Sequence, residues 1–105
     1  MHAVTGLSGS GPAYVSLLVE GLAAGAVKMG LQPALALDLA CQLLFGSAKL
    51  LSEKGLHPAI LRDQVTTPGG TTIAGLERLE RFAVRNALMS AVQAATERSE
   101  ELARA

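Results

Sequence analysis

At 105 residues the chain has room for one domain. Half of it is apolar, yet its aromatic residues are only Tyr14, Phe45 and Phe82, and Ala and Leu supply 18 residues each, a bias toward helix over strand. Nine basic and nine acidic side chains leave no net charge, which excludes a polybasic nucleic-acid binder and an acidic tail but not a chain that meets another copy of itself.

The charge comes late, because residues 1–48 hold only Glu20, Lys28 and Asp38. These three interrupt each window of about 20 residues that a bilayer-spanning helix requires, so the apolar half is expected to be protein core and no membrane partner is expected. Met1-His2-Ala3-Val4 has neither a basic n-region nor an Arg-rich leader. The lone Cys41 excludes an internal disulfide framework and suits a reducing compartment, so a cytoplasmic protein is expected. Cys41 itself lies in an apolar run and is expected to be a small buried hydrophobe.

In chain order, the glycine- and serine-rich stretch Val4–Gly11 predicts a loop, with His2 at a frayed terminus. Pro12 suits a first helical position. Val15, Leu18, Val19, Leu22, Ala26 and Met29 then mark the inner face of a helix, and Gly21, Ala24 and Gly25 form a small-residue surface opposite. Gly30 is the stop, and Pro33 opens a second helix over 33–54. That helix carries one polar stripe, Asp38, Gln42, Lys49 and Glu53, and is apolar or small elsewhere. A helix of that kind needs cover on several sides. A domain of this size buries only about 60–70% of its unfolded surface, so the first or second helix is expected to lie in an obligate self-association interface.

Gly55 ends the second helix, and His57-Pro58 starts a short one reaching about Val65, with His57 as a local cap or turn residue. The turn Thr66-Thr67-Pro68-Gly69-Gly70-Thr71-Thr72 leads into a helix through about Arg81, on which Glu77 and Arg81 are spaced for an i,i+4 pair. The last helix, 83–104, has Val84, Leu88, Ala91, Val92, Ala95 and Leu102 inside. Its outer face is Arg85, Gln93, Glu97, Arg98, Glu101 and Arg104. The fold class is all-α, about five helices. Glu20 and Lys28, lone charges on an apolar helix, are expected to find each other or a partner across an interface.

Two glycine-bearing segments could carry chemistry. Gly9-Ser10-Gly11 lacks the preceding strand, and Tyr14 stands where a dinucleotide fingerprint has its third glycine, so it reads as a turn into a packed helix. The 66–72 turn is different. Pro68 stiffens it, Gly69 and Gly70 leave backbone N–H groups unshielded, and the unpaired N–H groups of the next helix face the turn. Thr71 and Thr72 offer hydroxyls that either cap that helix or touch a ligand. The spacing alone admits both a small-anion site, for a carboxylate for example, and a bare capped loop. No Cys, His, Asp and Glu set has metal-ligand spacing, so no metal is predicted.

Two stretches carry a resemblance. Val4-Thr5-Gly6-Leu7-Ser8-Gly9-Ser10-Gly11-Pro12-Ala13-Tyr14 resembles the opening of the C-terminal domain of pyrroline-5-carboxylate reductases, and Asp63 through Leu76, containing Thr67-Pro68-Gly69-Gly70-Thr71-Thr72, is similar to that family's signature. Val27-Lys28-Met29-Gly30-Leu31, Gly46-Ser47-Ala48-Lys49, His57-Pro58 and Arg85 through Leu102 match in order and spacing, so the resemblance runs from about residue 4 to 102. It implies the helical half of an oxidoreductase that reduces 1-pyrroline-5-carboxylate to L-proline, the last step of proline biosynthesis. The implied architecture is an interlocked homodimer, or a higher multiple of dimers, like the C-terminal domain of 6-phosphogluconate dehydrogenase.

By the same resemblance, the backbone around Thr67, Gly69, Gly70 and Thr71 holds the substrate carboxylate, and the Thr72 hydroxyl bonds the ring nitrogen. NADPH or NADH serves the parent enzyme through a dinucleotide-binding domain outside these 105 residues. The piece alone is therefore expected to bind no cofactor and to be inactive. Where relatives commonly carry Gly-Gly-Phe before the last helix, this chain has Phe82-Ala83-Val84, a change expected to straighten or extend that junction. A non-catalytic helical self-association module is the competing reading; it leaves the 66–72 turn as capping alone.

Overall fold

A computed structural model describes all 105 residues as helices and short connections, without a strand. The short helix α1 (His2–Val4) runs straight into a π-helical turn (Thr5–Gly9). The longer helices α2 (Gly11–Lys28), α3 (Pro33–Lys54), α4 (Pro58–Gln64), α5 (Thr71–Arg81) and α6 (Val84–Arg104) follow. The chain divides into two compact units, Met1–Ala13 with Thr66–Ala105, and Tyr14–Val65.

In the first unit the expected N-terminal loop is helical. The Ser10 N–H donates to the Thr5 carbonyl at 3.1 Å, closing the π turn. The reason lies far off in the sequence. Gly6 is buried against α6, where a Cβ would stand 2.9 Å from the Val92 carbonyl oxygen and 3.0 Å from the Thr96 nitrogen and would collide with Thr96 Oγ1. The Thr96 hydroxyl meanwhile donates to the Val92 carbonyl at 2.7 Å. The terminus is not frayed either, because His2 Nδ1 sits 2.8 Å from Ser99 Oγ. Glycine here serves a close helix approach rather than a turn.

The N-terminal segment meets α6 at Val92, Thr96 and Ser99. Val84, Ala91, Val92 and Ala95 are half-buried as expected, but Leu88 and Leu102 are exposed, at 40% and 58%. Between α5 and α6 the junction is neither straightened nor extended. Ala83 adopts φ 54°, ψ 43°, the left-handed region, and breaks the helix there. The Ala83 N–H donates to the Glu80 carbonyl at 3.0 Å, closing α5, and Arg85 reaches back to Glu80 at 3.1 Å across the break. The predicted Glu77–Arg81 pair forms at 2.7 Å, fully on the surface.

In the second unit the stop signals work as read. Gly30 at φ 110° ends the turn after α2, Gln32 takes the N-cap position of α3 ahead of Pro33 without a side-chain capping bond, and Gly55 at φ 63° ends α3. His57 Nδ1 accepts the Ala59 N–H at 3.1 Å and so caps α4. The core is a small-residue contact between α2 and α3: Ala23, Ala36 and Ala40 are buried, with Val19 and Ala26 packed against them. Of the expected inner face of α2, Val15, Leu22 and Met29 are therefore exposed. Cys41 is exposed too, because the inner face of α3 runs through Ala36, Ala40 and Leu44 and position 41 lies a quarter-turn beyond it.

The surface left over is large. The chain exposes 8037 Å², whereas a compact monomer of this mass exposes about 5,500 Å² and two separate globules of half the mass about 6,700 Å². Much of the excess is apolar, including Leu17 at 69%, Phe45 at 66% and Leu43 at 55%. The charge argument against a membrane proves too weak. By length and composition both the helical stretch His2–Lys28 and α3 are apolar enough to cross a bilayer, Glu20, Lys28 and Asp38 notwithstanding.

Candidate functional site

The segment Thr67-Pro68-Gly69-Gly70 is a tight turn closed by the Gly70 N–H on the Thr67 carbonyl at 3.0 Å. Pro68 occupies its second position and Gly69, at φ 68°, its third, which are the residues a type II turn demands. Gly70 is extended, with φ −83° and ψ −179°, and is the N-cap of α5. A Cβ on Gly70 would collide with Thr67 Oγ1 and lie 3.2 Å from the Thr67 carbonyl oxygen, so the Thr67 side chain folds over that backbone. Glycine is needed at 69 for its dihedral and at 70 for room.

No side chain caps α5, and its first turn holds no acidic residue. The hydroxyls of Thr71 and Thr72 are thus inside the helix rather than at its cap. Of the two alternatives read from sequence, capping by these hydroxyls is not what the structure shows. The leading N–H groups of α5 and its positive dipole end stand behind the turn without a side-chain acceptor. Thr72 and Gly70 are half-buried, while Thr67, Gly69 and Thr71 are exposed.

Gly69 and Gly70 also open onto a depression of about 540 Å³ that continues along one side of α5 past Ile73, Ala74, Glu77 and Glu80. Thr67, Thr71 and Thr72 do not line it. The structure therefore places Thr67, Gly69 and Gly70 in the turn and Thr71 and Thr72 directly after it in α5, but only the two glycines beside the adjoining hollow. Sequence reasoning missed Ile73 and Ala74. Their three- and four-residue spacing from Gly70, repeated at Glu77, is the signal that could have found them. Both carboxylates at the rim are engaged, Glu77 with Arg81 and Glu80 with Arg85.

Elsewhere, no group of three or more His, Cys, Asp or Glu side chains is placed to hold a metal ion. Gly9 ends the π turn, Ser10 links it to Gly11 at the start of α2, and no strand precedes them. These residues do not fit a dinucleotide, which needs a strand–turn–helix cradle. His57 is occupied as the cap of α4.

The fold and this turn define a class: an all-helical domain, rich in exposed apolar surface, with a glycine turn feeding an uncapped helix start. The chain belongs to the pyrroline-5-carboxylate reductase dimerisation family, whose pattern matches residues 1–102. It is 57% identical over 100 residues to the pyrroline-5-carboxylate reductase of Arabidopsis thaliana, covering 95% of this chain and 36% of that protein. It is 55% identical over 102 residues to the enzyme of that name from Synechocystis, covering 97% and 38%.

Among solved structures, the pyrroline carboxylate reductase of Plasmodium falciparum with NADP bound superposes at a TM-score of 0.92 with 38% identity. The match covers 96% of this chain and 38% of that one. The 1-pyrroline-5-carboxylate reductase of Streptococcus pyogenes gives 0.92 at 37% identity, covering 95% and 39%. The chain thus spans less than two-fifths of the length of these relatives.

Proposed function

We propose that the chain is the dimerisation and substrate-holding part of an enzyme that reduces 1-pyrroline-5-carboxylate to L-proline in the cytoplasm. The observation that carries the reading is the uncapped start of α5 behind the Gly69–Gly70 turn, in a chain of this family. Backbone N–H groups around Thr67, Gly69, Gly70 and Thr71 hold the substrate carboxylate, where the dipole of α5 adds to their hydrogen bonds. The Thr72 hydroxyl, one residue further along α5, bonds the ring nitrogen. Two fixed points on a small ring set which face it presents, so the contribution of this domain is orientation. The NADPH or NADH that supplies the reducing equivalent is assigned to the rest of the parent enzyme, because Gly9-Ser10-Gly11 does not form a dinucleotide cradle. A homodimer, or a multiple of it, covers the exposed apolar helices.

The test has two parts. Titration of the isotope-labelled chain with L-proline is expected to shift the Gly69, Gly70, Thr71 and Thr72 amides saturably. In the reductase that carries this domain, Thr72→Ala is expected to lower kcat/KM by on the order of 10- to 100-fold, the worth of one hydrogen bond to a charged group. Unchanged kinetics would remove Thr72 from the site. A purely structural self-association module gives neither effect.

A further inference from the structure

We propose that Gly6 and Thr96 are positioning residues for the reduction. Their contact fixes, on the unit that carries the 66–72 turn, the corner at which the rest of the parent enzyme joins this domain. The inference rests on the function proposed above and deepens it. The N-terminal segment and the turn belong to one compact unit, Met1–Ala13 with Thr66–Ala105. Within it α1 and the π turn lie on α6, and α6 also meets α5, which begins at the turn.

His2 pairs with Ser99, whereas Gly6 faces Val92 and Thr96. The segment therefore runs antiparallel to α6, about one turn of it matched by one turn of the longer helix. Met1 accordingly stands beside the last turns of α6, and Ala105 lies only about 9 Å beyond Ser99 along the axis. Both ends of the chain leave from one corner. More than three-fifths of each curated relative lies outside the matched stretch. By whichever end that remainder is joined, it emerges here.

The contact admits one register. Gly6 is buried with no room for a Cβ, and the Thr96 hydroxyl that it meets is itself tied to the Val92 carbonyl at 2.7 Å. A slip by one residue would bring the side chain of Thr5 or Leu7 to a place where none fits. Joints between domains are mobile unless a contact restrains them. A misplacement of about 1 Å between reacting groups costs on the order of 100-fold in rate. A joint clamped at this corner narrows the positions that the cofactor-bearing part can take relative to the turn. Neither Gly6 nor Thr96 lines the hollow beside the turn, so both act through placement alone.

The test uses the reductase that carries this domain. It reads the single-turnover rate of NADPH oxidation, the inhibition constant of L-proline, and hydrogen exchange at residues 2–10. Thr96→Val sets a methyl group where the hydroxyl rests against Gly6. It is expected to slow the turnover about three- to tenfold and to speed exchange in the segment, with L-proline inhibition within about twofold of the original. Thr96→Ser keeps the oxygen and is expected to restore both rate and protection. Gly6→Ala is expected to slow the turnover by on the order of 10- to 100-fold. A smaller folded fraction lowers the amplitude of the single turnover and leaves its rate unaltered, whereas misplacement lowers the rate at full amplitude. Original rates in the Val and Ala variants, a loss confined to amplitude, or a slower rate without a loosened segment overturns the proposal. So does weakened L-proline inhibition in step with the rate, because the turn itself is then disturbed. Unchanged kinetics of Thr72→Ala would instead overturn the substrate-site reading, whatever residues 6 and 96 do.

Discussion

Ala83 is the one residue other than glycine with a positive φ, and it sits where α5 ends and α6 begins. An L-residue held in the left-handed region costs about 1–2 kcal/mol, because its Cβ crowds the neighbouring carbonyl. Ala83→Gly removes that crowding and gives back about 0.4–1 kcal/mol through the freer unfolded chain. The balance is a stabilisation of about 0.5–1 kcal/mol. The contacts across the joint, from Ala83 to Glu80 and from Arg85 to Glu80, involve no side-chain atom of residue 83 and are retained. Urea unfolding at a fixed protomer concentration reads the effect, because association and folding are linked. With a slope of about 1–2 kcal/mol/M, the midpoint is expected to rise by about 0.5 M with the slope unchanged. Ala83→Val, whose branched Cβ fits this region worse, is expected to lower it. A glycine variant that is neutral or less stable would refute the reasoning.

Two further substitutions test the local accounts. Gly6→Ala sets a methyl group against the Val92 carbonyl oxygen and the Thr96 nitrogen, both main-chain atoms that have little room to yield. It is expected to cost about 1–3 kcal/mol and to strip hydrogen-exchange protection from the first ten residues before the rest. His57→Ala removes the acceptor of the Ala59 N–H and is expected to cost about 1 kcal/mol in thermal unfolding. His57→Asn, which can accept the same bond, is expected to recover most of it.

Where a feature depended on neighbouring residues alone, the sequence was a sufficient guide. Gly30, Pro33, Gly55 and the His57-Pro58 pair each set a helix end by a dihedral, a missing donor or a cap, and the structure places those ends accordingly. The Pro68-Gly69 turn was legible for the same reason. The N-terminal segment was not, because its glycine answers to Val92 and Thr96, almost the whole chain away. Cys41 and half of the inner face of α2, Val15, Leu22 and Met29, were misread on a different ground. When a helix is apolar nearly all round, periodicity no longer says which side meets its own chain and which meets another. Ala83 shows the converse, with a helix break surviving without the glycine that suits it. The hollow beside Gly70 is built by one side of α5, and a motif search centred on the turn passes over it.

The central claim is that the exposed apolar helices belong to an interface between copies of this chain. Sedimentation equilibrium of the chain over a wide concentration range tests it most directly. The 8037 Å² of exposed surface, against about 6,700 Å² for two separate globules of half this mass, predicts a dimer or a multiple of one that persists on dilution. A well-folded monomer at every concentration would contradict the account.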